Sequence, residues 1–507
     1  MAVLTLSACG GKGPETGDLG YVEGFLGGVM ADEPRAALVG RDTLSAGGSA
    51  VDAVVAAYFT MAVTLPGTAG LGGGGVCLVV EPSAERADAF EFLPKAPAHT
   101  DARFAIPGNV RGLFAVHARY GILNWQQLLL PAERLARTGH PVSRAFAREV
   151  DANISRLRAH PETARALGVV RSAIDEGAPL QQIQLSTIIS AIRVRGAGDF
   201  YQGTSARQFV DAVQQAGGTM TLEDMRDYLP RLQVPLSVTR DNNTYYASGG
   251  GGIVAGRVFS MLLQNSLYAD ADNDGERAHL LVEASRRTFA AAARGGDISM
   301  SIEAAEQFMA GYDPDRRSAD PAGADTLPDA GSALQNGASL VAVDQYGQVA
   351  ACGFTMGAPF GTGILAPGTG ILLAPADAAS ASVSQPAAMA VVNLVSNQTF
   401  FGAAIGGGAP VALARTVADV RLRGVPVDAA IAAARLYDPA RPDTVFHEPG
   451  LEPGAVERLR SLGYTLTSAG KLGRINGFFC PDGLPRTPIC AFVNDPRGFG
   501  LSANADQ

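Results

Sequence analysis

The chain has 507 residues, 47% of them hydrophobic and 18% charged, which predicts a globular protein of two or three lobes and argues against a disordered one. Its net charge is −9 with no Lys/Arg block, which argues against a nucleic-acid partner, and no apolar run reaches the length of a membrane-spanning helix. The 61 glycines cluster in loops, a sign of backbone packed against backbone or against a small ligand.

Residues 1–9 read as the tail of a secretion signal, although no basic stretch precedes the apolar run. Leu6-Ser7-Ala8-Cys9 before Gly10 has the order of a bacterial lipobox, in which the Cys is acylated. A frayed N-terminus is the plainer alternative. Acylation at Cys9 would place the protein at a membrane surface, in the periplasm or anchored beside it, with residues 10–34 as a linker. Ser49 and Asp52 form a capping-box pattern that opens a helix, apolar nearly all round and stopped at Pro66. Gly70, Gly72 and Gly75 have the G-x-G-x-x-G spacing, but they follow a helix and precede a strand, the reverse of a dinucleotide fingerprint.

A strand at 76–80 pairs with the alternating segment 87–92, and amphipathic helices follow to about residue 228, the last capped by Thr221. A strand pair is predicted over 233–248, a glycine loop at 249–252, and helices at 253–265 and 276–294. Asp270 to Gly275 begins like a calcium loop, but Leu281 stands where a bidentate Glu is required, so it reads as a solvated turn. The six histidines lack ligand spacing, so no metal is expected, and no cofactor is implied.

A polar, Pro- and Gly-rich arm, 313–336, runs into the stretch on which the chain is organised. Residues 339–344 and 349–356 read as two strands joined by a turn at Gln345-Tyr346-Gly347-Gln348. Strands near 387–396 and 399–405 follow, then Gly406-Gly407-Gly408 leading into a helix from Pro410 to Arg423, and helices at 427–436 and 453–462. A final hairpin turns at Pro481-Asp482-Gly483 with Cys480 and Cys490 on its arms, either as a disulfide or as two buried thiols. Cys77 and Cys352 read as core residues in apolar strands. Strand pairs with helices before and after them predict two stacked antiparallel sheets covered by helices on each outer face, with a largely helical middle.

From about residue 35 onward the chain resembles the γ-glutamyltranspeptidase family. The resemblance lies in GGSAVDAVVAA (47–57), GLGGGGVCLVV (70–80), KAPA (95–98), PGNVRGL (107–113), RYGILNW (119–125) and GHPVS (139–143). It continues in AGGTMTLEDM (216–225), ERAHLLVEA (276–284), FGTGILAPGTGILLA (360–374) and IGGGAPVALARTV (405–417). It implies an α+β fold, the four-layer αββα sandwich of the N-terminal nucleophile hydrolases, with a large-subunit-like region at 35–312 and a small-subunit-like region at 337–507. It also implies γ-glutamyl transfer or hydrolysis, glutathione hydrolysis included, by a Thr freed through self-cleavage.

Anchored on Asp344, the family's Thr-Thr-His-x-Ser-Val-Val-Asp falls on Gly337 to Asp344, so the nucleophile position is Gly337, which has no hydroxyl. The supporting Thr is kept as Thr355. The Asn two residues on is Gly357, and the Arg that pairs with a substrate carboxylate is Leu93. The family's serine pair becomes Ala387 and Ala388, Asp377 stands near the family's Asp but out of register, and the oxyanion glycines persist as Gly406 and Gly407. The expectation is a degenerate, uncleaved member that binds a small molecule, a peptide or a partner. Two alternatives keep activity. In one, Ser339, on the same strand face as position 337, serves as a shifted nucleophile. In the other, the chain is an orthodox γ-glutamyltransferase, although the only Thr in the arm is Thr326.

Overall fold

The computed structural model describes residues 24–506 except 99–100, 265–266, 271–272, 294–298, 319–336, 379–384 and 488. Cys9 and most of the polar arm therefore lie outside the described residues. Two antiparallel sheets carry the fold. The first is built from β1 (Phe25–Ala31), β2 (Gly74–Glu81), β3 (Arg86–Phe92), β4 (Arg231–Gln233), β7 (Ala338–Asp344), β8 (Val349–Thr355) and β13 (Leu501–Asp506), in the order β13-β1-β7-β8-β2-β3-β4. The second contains β5 (Leu236–Arg240), β6 (Asn243–Ala247), β9 (Ala387–Asn393), β10 (Gln398–Ile405), β11 (Ile475–Leu484) and β12 (Ala491–Val493), in the order β12-β11-β10-β9-β6-β5.

Alternation along β7 shows how the layers arise. Ala338, Leu340 and Ala342 face a core shared with the helices α1 (Pro34–Ser45) and α2 (Ala50–Thr64), while Val341 and Val343 face the second sheet. There they meet Ala388, Ala390, Val392 and Ala404 from β9 and β10. The far face of the second sheet packs on α3 (Gly252–Gln264) and α4 (Pro410–Leu422) in a third apolar cluster. Three apolar layers thus separate four structural layers, an αββα sandwich.

Local signals act where the spacing placed them. Ser49 and Asp52 close the capping box of α2, every residue of which is buried. Gly347 adopts φ +85 in the β7–β8 turn, a conformation that glycine enters without strain. Asp241 and Asn242, both at positive φ, join β5 to β6 as the tight antiparallel turn expected there.

Three readings need correction. Cys77 and Cys352 are buried but not free: they face each other across β2 and β8 and form a disulfide. The last hairpin does not turn at Pro481-Asp482-Gly483. β11 continues past a register shift to Leu484, which pairs with Thr399, so its turn comes later. Cys480 and Cys490, one step beyond the Phe479–Ala491 pair, are disulfide-bonded. The helix expected over 427–436 ends at Ala432, and Leu436–Tyr437 form a short strand instead.

Candidate functional site

Gly337 stands at the head of β7, in the middle of the first sheet. Opposite it the Gly406-Gly407-Gly408 loop leaves β10 toward α4. The two backbones touch. A Cβ on Gly337 would lie 2.1 Å from the Gly406 carbonyl oxygen and 2.4 Å from that of Phe354, and one on Gly406 would lie 2.2 Å from the Ala338 nitrogen. Those separations are far inside van der Waals contact, so in this arrangement neither position accepts a side chain.

A buried polar network holds the strand head. Arg474, just ahead of β11, donates from Nη2 to the Gly337 carbonyl at 2.9 Å and to Glu149 Oε1 at 3.2 Å. Its Nε lies 3.6 Å from Asp32 Oδ2. Asp32, immediately after β1, accepts the Ser339 N–H at 2.8 Å and Asn476 Nδ2 at 3.1 Å. Asn476 Nδ2 also reaches Ser339 Oγ at 2.8 Å, and that hydroxyl donates to the Arg474 carbonyl at 3.4 Å. Burial pushes both carboxyl groups up, Glu149 to about 7, against the pull of Arg474.

Of the positions named by the resemblance, Gly337 lines one cavity and Leu93 and Asp377 line another. The first, of about 240 Å³, is lined also by Thr68, Glu149, Lys471, Arg474 and Phe499. The second is a cleft of about 800 Å³ lined also by Glu91, Lys95, Tyr228 and Gln385, where the Leu93 carbonyl accepts the Tyr228 hydroxyl at 2.9 Å. Thr355 ends β8, buried, its Oγ1 accepting the Gly357 N–H at 3.0 Å. Gly357 has φ +75, and a Cβ there would sit 2.5 Å from Ala378 Cβ. Ala387 faces the helices over the second sheet, and Ala388 faces the first sheet. Ala388 exchanges hydrogen bonds with Ser248, its N–H donating to Oγ and its carbonyl accepting the Ser248 N–H, each at 3.0 Å. Ser339 is fully buried within the network and lines neither cavity.

Asp32, Glu149, Arg474 and Asn476 escaped the sequence reading. They are far apart in the chain, and no local pattern around any of them marks a charged side chain entering the core. Among the described residues no cluster of His, Cys, Asp and Glu could hold a metal ion. No helix among them is long and apolar enough to cross a membrane.

Face-to-face antiparallel sheets between helical layers, with a central strand entered from the polar arm, define an N-terminal nucleophile hydrolase sandwich. The gamma-glutamyltranspeptidase family model matches residues 36–500, and the chain belongs to that family. It is 27% identical over 544 aligned residues to a glutathione hydrolase proenzyme of Pseudomonas aeruginosa, covering 94% of each chain. It is 29% identical over 294 residues to glutathione hydrolase 3 of Arabidopsis thaliana, covering 54% of this chain and 46% of the relative, and so spans about half of that protein. Among solved structures, a cephalosporin acylase from Bacillus halodurans superposes with a TM-score of 0.79 at 19% identity, covering 99% of both chains. The Helicobacter pylori γ-glutamyltranspeptidase gives 0.52 at 23% identity, covering 60% of this chain and 95% of that one. At such identities these likenesses concern the fold.

Proposed function

We propose that this chain is a γ-glutamyltranspeptidase-fold protein without Thr-nucleophile catalysis or self-cleavage, serving as a ligand- or partner-binding lipoprotein outside the cytoplasm. The observation that carries this reading is the backbone contact between Gly337 and Gly406. Acyl transfer from the strand head needs a hydroxyl or thiol side chain there. Here that position has no side chain and no room for one.

The other substitutions agree. A zwitterionic glutamyl group needs both charged ends paired once it leaves water. Leu93, Ala387 and Ala388 offer no such partners at the matching positions. Ser339 is not favoured as a replacement nucleophile, because its hydroxyl is buried and engaged by Asn476 and the Arg474 carbonyl. Two disulfides support folding in an oxidising compartment, which agrees with the lipobox at Cys9.

Intact mass of the purified full chain, with turnover of a chromogenic γ-glutamyl anilide, tests the reading. The expected result is one polypeptide, heavier by its acyl groups when isolated from membranes, and no anilide released. Two associated polypeptides, the smaller beginning at residue 337 or 339, would overturn it.

A further inference from the structure

The smaller cavity, over Gly337, has a chemistry of its own. Two of its four cations are spent. Arg474 is bound to Gly337, Glu149 and Asp32, and Arg497 to Glu448, Asp495 and backbone carbonyls. The other two are not. Lys471 makes one hydrogen bond, to the Arg497 carbonyl, from an ammonium with three donors. Arg148 has one carboxylate neighbour, Asp151, at 4.0 Å, and its side chain is 69% exposed. Both line the cavity, so its mouth presents guanidinium and ammonium donors without saturating partners among the described residues.

The rest of the lining holds one ionisable group, Glu149, with the neutral Thr68 and Asn153 and an apolar wall. Ala145, Ala152, Pro359 and Phe499 form walls, with Phe499 38% exposed. Glu149 lies deeper. Its Oε1 is held by Arg474 and by Thr68 at 3.3 Å, while Oε2 is buried with no hydrogen-bond partner among the described residues. Burial favours the protonated form of this carboxyl, which has a hydrogen to give rather than a charge to repel an anion.

We propose that the cavity over Gly337 is a binding site for a small carboxylate with an apolar body, its carboxylate held by Arg148 and Lys471 and its body against Phe499 and Pro359. An inorganic anion would satisfy the cations but leave the apolar walls facing water. A neutral amide would fill the walls but leave the cations without a counter-charge. The site is separate from the Leu93 cleft and does not rest on the loss of cleavage. Recording the mass of each sample first lets the two failures be told apart.

The test is calorimetry of the full chain with phenylacetate as the probe, and with phenylacetamide and sulfate as comparisons. Phenylacetate is expected to bind saturably, and the comparisons are not. Arg148→Ala and Lys471→Ala are each expected to weaken it about tenfold, the loss of one charge-assisted hydrogen bond. Lys95→Ala, in the larger cleft, is expected to leave it unchanged. Both cations under test reach solvent, and circular dichroism checks that the variants are folded. No saturable binding would overturn the proposal. So would equal binding of phenylacetamide or sulfate, or an affinity that responds to Lys95→Ala and not to the other two variants.

Discussion

Gly337→Ala puts one methyl group where the fold has closed. Its Cβ would lie 2.1 Å from the Gly406 carbonyl oxygen and 2.4 Å from that of Phe354. Relaxed carbon–oxygen contacts lie at roughly 3.3–3.6 Å, so the head of β7 and the glycine loop must separate by about 1 Å. Neither obstacle is a side chain that can rotate away. Overpacking a core by one methyl group typically costs ~1–3 kcal/mol, and two backbone obstacles place this case at the upper end, about 3 kcal/mol. For 507 residues unfolding as one unit, at roughly 2.1 cal/mol/K per residue, that lowers the melting temperature by about 3 °C. Gly454→Ala is the control, because nothing lies within 4 Å of a Cβ built there and the position is helical. It is expected to melt at or slightly above the wild type. Differential scanning calorimetry of both variants decides the matter. If Gly337→Ala melts with the wild type, the strand head has room for a side chain and the steric account of Gly337 is wrong. Gly337→Thr carries the same obstacle and is expected to cost at least as much, without gaining anilide hydrolysis.

Two further predictions concern the core. Replacing Cys77 and Cys352 with Ala removes a covalent link between residues 275 apart and should cost about 2–4 kcal/mol, seen as a lower melting temperature than wild type in oxidising buffer and a much smaller difference once both proteins are fully reduced. Labelling the denatured chain with iodoacetamide, without reduction, should leave all four of these paired cysteines unmodified. Glu149→Gln should flatten the pH profile of stability. The folded carboxyl is raised from 4.5 to about 7 by burial, so the unfolded chain loses its proton first and wild-type stability falls between those values. Gln does not titrate, so the variant should gain about 3 kcal/mol on the wild type across that window. Melting curves that stay parallel from about pH 4.5 to about pH 7 would show that Glu149 titrates normally in the fold.

Much of the scaffold could be read before the structure, because its signals are local. The Ser49–Asp52 capping box, the apolar α2 and the Gly347 turn each depend on a few neighbouring residues. The Pro481-Asp482-Gly483 turn misled for the same reason: a strong local turn signal lost to strand pairing that carries β11 to Thr399. The Cys77–Cys352 pairing required knowing that β2 and β8 are neighbours, which spacing along the chain does not disclose. Gly337 could be placed at the strand head from the motif around Asp344, but the reason it must be glycine could not, because that reason is the loop after β10. The clasp on its carbonyl was equally hidden. Asp32, Glu149 and Arg474 meet only once both sheets are assembled.

That clasp also explains why the strand head tolerates so much buried charge. Asp32 and Glu149 together carry two negative charges when ionised, and Arg474 supplies one positive charge between them. One carboxylate is therefore left uncompensated in a place with little water, and the least costly remedy is to keep a proton on one of the two. Glu149 is the better candidate. Asp32 spends its oxygens on the Ser339 N–H and on Asn476, and both hydrogen bonds favour the ionised form, whereas one oxygen of Glu149 meets no donor among the described residues. The proton on Glu149 thus lets Arg474 serve Asp32 and the Gly337 carbonyl together. Arg474 Nη2 donates both to Glu149 and to the Gly337 carbonyl, so ionising Glu149 would strengthen one of two bonds made by the same nitrogen, and the charge state of a side chain outside the sheet is coupled to the backbone at the head of β7.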